Sequence, residues 1–215
     1  GAMPATCALA AYRLLKEPPM RIVVINSDTL DGVAQAPARP DEDRRGGFQH
    51  GGWGLAYADS VAANAMAARM SRPVSEGALL LGRVTYEDFY AVWPNRTDNP
   101  YTERLNKTQK YVVSRTLKEP LPWSNSVLLQ GDAAESVARL KKEQPGKDLC
   151  VLGSVKLVQS LMDAGLVDEY VLMITPLVLG TGARLFPDGG AVAKFHLAET
   201  ATTTTGVIIA TYRSA

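Results

Sequence analysis

The chain has 215 residues, 46% hydrophobic and 21% charged, an ordinary globular composition with room for one generous domain or two small ones. Its formal net charge is +1, so no overall field draws nucleic acid or an anionic membrane, and any anion site has to be local. Two histidines and two widely separated cysteines form no metal-ligand pattern; Cys7 and Cys150 read as free thiols of a reducing, cytoplasmic compartment.

Residues 1–19 read as a tag remnant and an N-terminal extension. Gly1-Ala2-Met3 has the look of a cleaved tag, and Cys7 to Leu15 is too short and interrupted to span a bilayer and lacks the basic start of a signal peptide. The fold is expected to begin at Met20 and to form one domain over 20–215. Arg21 to Asn26 (RIVVIN) is a buried strand by its β-branched run. The polar stretch Ser27 to Gly32 reads as the turn that ends it. Asp31-Gly32 there is either a tight turn or part of a site at the strand's carboxyl end.

Ala38 to Gly54 is a long polar loop carrying five glycines, Phe48, His50 and Trp53. A loop of that length is usually a functional cover or disordered, and the embedded aromatic residues favour a cover closing over a ligand, with Trp53 and His50 as substrate contacts. Tyr57 to Met70 reads as a helix with Asp59 in its first turn, where a carboxylate also serves the helix dipole.

Gly77 to Leu81 is a second buried strand, running into Gly82-Arg83-Val84-Thr85 and a short helix. Tyr101 to Lys107 is another short helix, and Lys110 to Val113 a third strand ending in Ser114-Arg115-Thr116. Val127 to Gln130 is a short strand, and Ala133 to Glu143 a helix capped by Asp132. Leu149 to Leu152 is a continuous apolar run broken by Gly153-Ser154, after which Val155, Leu157, Val158, Leu161 and Met162 recur at helical spacing. Val167 to Thr175 is a strand that Pro176 to Leu179 continues towards Gly180-Thr181-Gly182. Phe195 to Thr205 and Gly206 to Tyr212 form a closing hairpin. The sum is an α/β fold: a mostly parallel central sheet with helices on both faces and an antiparallel carboxyl-terminal edge.

Three strand ends carry groups suited to anions: Gly82-Arg83-Val84-Thr85, Ser114-Arg115-Thr116 and Gly153-Ser154-Val155-Lys156. A turn opening a helix presents free N–H groups and the positive end of the macrodipole, and an arginine clamps phosphate bidentately. Three such ends suit a ligand with several phosphates, and NADPH fits better than NADH because no acidic residue for a ribose hydroxyl is evident at the second strand. The Rossmann glycine fingerprint, the P-loop and a Gly-x-Ser-x-Gly elbow are all missing.

The ordered set LLLGRVTYEDF, KYVVSRTL, LCVLGSVKLVQSL and VDEYVLMITPLVLGTGARLFP resembles the dihydrofolate reductase-like superfamily over roughly Met20 to Arg213, and most of all its RibD carboxyl-terminal domain family. The loop with Gly51-Gly52-Trp53 is similar to a stand-alone bacterial subgroup. The riboflavin reductases usually read Ser-x-Asp-Gly where this chain has Thr29-Leu30-Asp31-Gly32, and no deaminase pattern is recognisable. The resemblance implies NADPH as cofactor, with Gly82, Arg83, Thr85, Ser114 and Arg115 at its 2′-phosphate side and Gly153, Ser154, Val155 and Lys156 at its pyrophosphate. It implies Asp31, Gly32, Val33, Gly180 and Gly182 on the nicotinamide and substrate side, and Asp59 or Asp31 as the group that orients substrate or relays a proton. It further implies a homodimer and hydride transfer to a small heterocyclic, carbonyl or imine substrate, pterin- or pyrimidine-like among them. A non-catalytic NADP(H)-binding or sensing protein of the same fold is the alternative.

Overall fold

The computed structural model describes residues 18–215, apart from the side chains of residues 71–76; Cys7 and the rest of the N-terminal extension lie outside the described residues. Among the described residues, eight strands form one sheet in the order β4-β3-β2-β5-β1-β6-β8-β7. They are β1 (Arg21–Thr29), β2 (Ala78–Gly82), β3 (Gln109–Val113), β4 (Ser126–Leu129), β5 (Asp148–Leu152), β6 (Glu169–Thr175), β7 (Phe195–Thr202) and β8 (Ile208–Ser214). The first six are parallel, and β8 and β7 close the edge in antiparallel pairing. Five α-helices are described: α1 (Ser60–Glu76), α2 (Arg83–Val92), α3 (Tyr101–Lys107), α4 (Ala133–Glu143) and α5 (Val155–Asp163).

The continuous apolar runs are continuous because both faces of the sheet are covered. On one face Ile22, Val24, Leu80, Leu149 and Val151 pack with Val137 and Leu140 of α4 and Leu157, Val158 and Leu161 of α5. On the other, Val23, Ile25, Leu79, Leu81 and Cys150 meet Met70 of α1, Tyr86 of α2 and Leu105 of α3. Burial pushes the Cys150 thiol up to about 12, so it behaves as a small core hydrophobe. Asp132 caps α4 as its sequence predicts, its side chain accepting from Glu135 N at 3.0 Å.

Of the boundaries that differ from the sequence reading, three bear on the site. Ser27, Asp28 and Thr29 extend β1 rather than forming a turn, because they pair with Met173, Ile174 and Thr175 of β6. The first helix begins at Ser60 instead of Tyr57, since Leu55–Tyr57 forms a separate 3-10 turn. β6 ends at Thr175, and the following residues turn back towards the start of the chain, Leu30 N donating to Leu177 O at 2.8 Å.

Candidate functional site

A cleft of about 750 Å³ opens at the carboxyl ends of β1, β2, β5 and β6, where open parallel sheets place their ligands. β5 lies between β1 and β2, so the turns leaving these three strands meet along one line. Part of the wall is apolar, built by Met66 and Met70 of α1, Phe89 of α2, Trp93, and Tyr101 and Leu105 of α3. The rest is polar: Gly82 to Thr85, Gly153 to Lys156, and a charged rim of Arg39, Arg45 and Asp88.

The polar part has a specific construction. Gly153 and Ser154 both adopt left-handed backbone conformations, with φ of 58° and 56°. Such a conformation costs a non-glycine residue about 1–2 kcal/mol. The Ser154 hydroxyl offsets that cost by two hydrogen bonds to the neighbouring turn, donating to Thr85 Oγ1 at 2.8 Å and accepting from Gly82 N at 3.0 Å. An added Cβ on Gly82 would stand 3.2 Å from Ser154 Oγ, so the small residue keeps the two turns together. Among the described residues, neither α2 nor α5 has a side-chain cap at its N-terminus. The first-turn N–H groups of both helices, which have no intrahelical acceptor, thus also lack a capping side chain, and both helices begin at the same cleft.

Of the residues singled out from sequence, Gly82, Arg83, Thr85, Gly153, Ser154, Val155 and Lys156 line this cleft together. Arg83 is exposed and pairs with Glu87 at 2.9 Å. Ser114 and Arg115 are not on the cleft wall, although they follow Val113, the register partner of Gly82 on β2. The Ser114 hydroxyl is held in its own turn, accepting from Thr116 N at 3.1 Å and Leu117 N at 3.0 Å.

The nicotinamide-side group sits differently. Asp31, Gly32, Val33, His50, Trp53, Asp59, Gly180 and Gly182 are all off the cleft wall. Asp31 closes the loop after β1 onto the 177–184 segment, accepting from Thr29 Oγ1 at 2.5 Å and from Gly180 N at 2.7 Å. These donors, the Thr29 hydroxyl first, hold its carboxyl down to about 2. Asp59 caps α1, accepting from Ala62 N at 2.7 Å, and its other oxygen takes the backbone N–H and hydroxyl of Thr204. The Ala62 and Thr204 bonds keep it below the usual carboxylate range. Phe48 and Trp53 are buried with Val33 and Ala36 in a small core of their own, and Gly182 lies against it. Trp53 Nε1 donates to Gln35 O at 2.8 Å. That core pins the segment whose earlier part, Ala34 to Arg39, forms a cleft wall. His50 is exposed, its ring edge-on to Phe48 at 5.7 Å.

Three polar residues of importance to the site were not singled out from sequence. Gln35 is a buried tie: its Nε2 donates to Arg45 O at 3.0 Å and its Oε1 accepts from Ala183 N at 3.0 Å. Asp88 of α2 stands on the cleft wall with its carboxyl raised above the usual range by burial, against the opposing pull of Arg39. Its position three residues after Thr85, on the helix that starts at the Gly82-Arg83 turn, is the available signal. Asn26 lines the cleft at the end of β1. No group of three or more metal-ligating side chains occurs among the described residues, and none of their helices is long and apolar enough to cross a membrane.

Comparison with known proteins agrees with this architecture. The uncharacterized protein YyaP of Bacillus subtilis is 32% identical over 139 residues, covering 62% of this chain and 72% of that protein. A putative riboflavin biosynthesis protein from Shewanella sp. PV-4 superposes with a TM-score of 0.64 at 21% identity, covering 91% of this chain and 99% of the other. Dihydrofolate reductase from Enterococcus faecalis, solved in complex with NADP(H), superposes with a TM-score of 0.57 at 12% identity, covering 92% and 98%. The model of the RibD C-terminal domain matches residues 21–209, and the chain belongs to that family, with a dihydrofolate reductase-like fold.

Proposed function

We propose that the protein is an NADPH-dependent reductase acting on a small heterocyclic, carbonyl or imine compound, with pyrimidine- and pterin-like compounds first among the candidates. The observation that carries this reading is the pair of uncapped helix N-termini on adjacent strand ends, locked together by Ser154. Backbone N–H groups from Val84, Thr85, Val155 and Lys156 suit the diphosphate, with the Lys156 ammonium beside them. Arg83 suits the 2′-phosphate, joined by Ser114 and Arg115 from the next strand end. Its exposed pairing with Glu87 is worth under about 1 kcal/mol, so it exchanges for a phosphate at little cost.

The bound cofactor supplies hydride; the chain supplies position and a dry wall. The apolar surfaces of Met66, Met70, Phe89, Trp93 and Leu105 suit a flat ring and exclude water from it. Asp88 accepts no hydrogen bond among the described residues and is kept protonated to higher pH than a free aspartate, which suits it to give a proton to the reduced product. Two copies pairing through the β7–β8 edge, where Leu197 and Ile208 are exposed, is part of the proposal, and sedimentation analysis tests it.

Fluorescence titration with NADPH and NADH is the primary test: failure of both to bind refutes the reading. NADPH oxidation across a panel of pyrimidines, pterins, carbonyls and imines then separates a reductase from a non-catalytic NADP(H)-binding or sensing protein.

A further inference from the structure

The end of β1 holds an unusual pair. Asn26 and Asp28 are two residues apart on a strand and so point to the same face. They are 6% and 5% exposed, and Asn26 Nδ2 donates to Asp28 Oδ1 at 2.9 Å. The same nitrogen reaches Ser27 O at 3.4 Å. Asp28 Oδ2 has no partner among the described residues. Both contacts of the amide nitrogen are acceptors: a backbone carbonyl and a carboxyl oxygen. That fixes which way the amide is turned, because only its NH2 satisfies both. The amide NH2 is thus turned to the carboxyl through Oδ1, which acts as its acceptor.

The consequence is at the other end of the amide. Asn26 Oδ1 accepts no hydrogen bond among the described residues, yet it is not among the sealed, unsatisfied atoms, and Asn26 belongs to the cleft wall. The floor of the cleft thus carries one fixed hydrogen-bond acceptor, aimed by a buried carboxyl behind it. A complementary ligand must bring an N–H or O–H donor to that point.

Strand order says which part of a dinucleotide that is. The two helix N-termini follow β2 and β5, and β1 is the next strand beyond β5. With strands about 4.8 Å apart, a diphosphate held over β2 and β5 leaves the sugar and ring beyond it to extend over β1. We propose that Asn26 Oδ1 receives the carboxamide NH2 of the nicotinamide ring, with Asp28 as the positioning residue that holds the amide in that orientation. The assignment rests on the nucleotide reading above and adds to it a determinant of ring recognition and facing.

The test compares binding of NADPH with binding of its reduced 3-acetylpyridine analogue, which has a methyl ketone in place of the carboxamide and so lacks the donor. Isothermal titration calorimetry is run on the wild-type chain, on N26S and on the double variant N26L/D28L. The double variant replaces both partners by apolar groups and leaves no buried polar atom of the pair behind, guarding against a variant that fails only by unfolding. One neutral hydrogen bond corresponds to a preference for NADPH of roughly three- to tenfold. In both variants that preference is expected to fall to about one, through weaker NADPH binding with the analogue little changed. A preference that survives in folded N26L/D28L overturns the assignment, as does equal weakening of both nucleotides. Absence of any NADPH binding to the wild type instead overturns the nucleotide reading itself, so the two failures are distinct.

Discussion

Asp28 gives the most quantitative prediction. Burial raises its carboxyl from 3.8 to about 7, the Asn26 hydrogen bond opposing this only in part. Between those two values the folded chain binds the proton and the unfolded chain does not, so stability falls as pH rises across this window. Below about pH 4 both states are protonated and the residue has no effect; above about pH 7 the full cost of a buried carboxylate is present. At about 1.4 kcal/mol per pK unit, a rise of roughly three units amounts to about 4 kcal/mol. D28N keeps an acceptor for Asn26 and removes the charge, at the cost of about 1–3 kcal/mol for a buried amide nitrogen without a partner. The variant is therefore expected to be more stable than wild type by about 1–3 kcal/mol at pH 8, and equal to it or less stable at pH 4.5. Urea denaturation at half-unit pH steps measures both curves. A wild-type stability that rises between pH 5 and pH 7 relative to D28N refutes the placement of a buried, unpaired carboxyl at this position.

Further expectations concern the cleft. S154A keeps the left-handed backbone but loses both bridging hydrogen bonds, and should cost about 1–3 kcal/mol in urea denaturation and weaken NADPH and NADH alike; unchanged affinity for both removes the bridge from the phosphate grip. R83A and R115A should each weaken NADPH by about tenfold relative to NADH, whereas K156A should weaken the two equally, as titrations will read; equal effects from the arginines remove them from the 2′-phosphate. G182A places a Cβ 2.7 Å from Val33 and 2.8 Å from Phe48 at a φ of 115°, and should destabilise by several kcal/mol, while G180A meets no atom within 4 Å and should cost only about 1–2. D88N should retain NADPH affinity and lower kcat on whichever panel substrate is turned over, with loss of the alkaline limb of the pH profile, where the rate falls as a proton donor ionises; an unchanged profile removes Asp88 as the proton donor.

Much of this fold is legible along the chain because its parallel strands, buried on both faces, leave uninterrupted apolar runs that end at glycine or polar turns. Leu79 to Gly82 and Leu149 to Gly153 announce both the strands and the helix starts that follow. The turns at Gly82-Arg83 and Gly153-Ser154 are legible for the same reason, being local in sequence. What escapes is set by pairing between distant segments. Ser27, Asp28 and Thr29 have turn-like composition and become strand only because β6 supplies 173–175 as partners. The burial that gives Asp28 its chemistry follows from that pairing and is invisible beforehand. Likewise Asp31 and Asp59, which attract attention as carboxylates near a strand end and a helix start, are engaged by Gly180 and Thr204, each almost 150 residues away. Gln35 has no sequence signature at all, since its significance lies in tying Arg45 to Ala183.

The Ser154 bridge also bears on when the proposed nucleotide site is completed during folding. Gly82 and Ser154 are 72 residues apart, yet their bond sets the spacing of the two helix starts. A nascent chain that has made β2 and α2 holds half of the grip and cannot align it until β5 has been inserted between β2 and β1. On the proposed nucleotide reading, affinity would be a property of the completed sheet, with no partial precursor. Ligand should consequently slow exchange of the core amides of β1, β2 and β5 by one common factor, rather than protecting only the amides it touches.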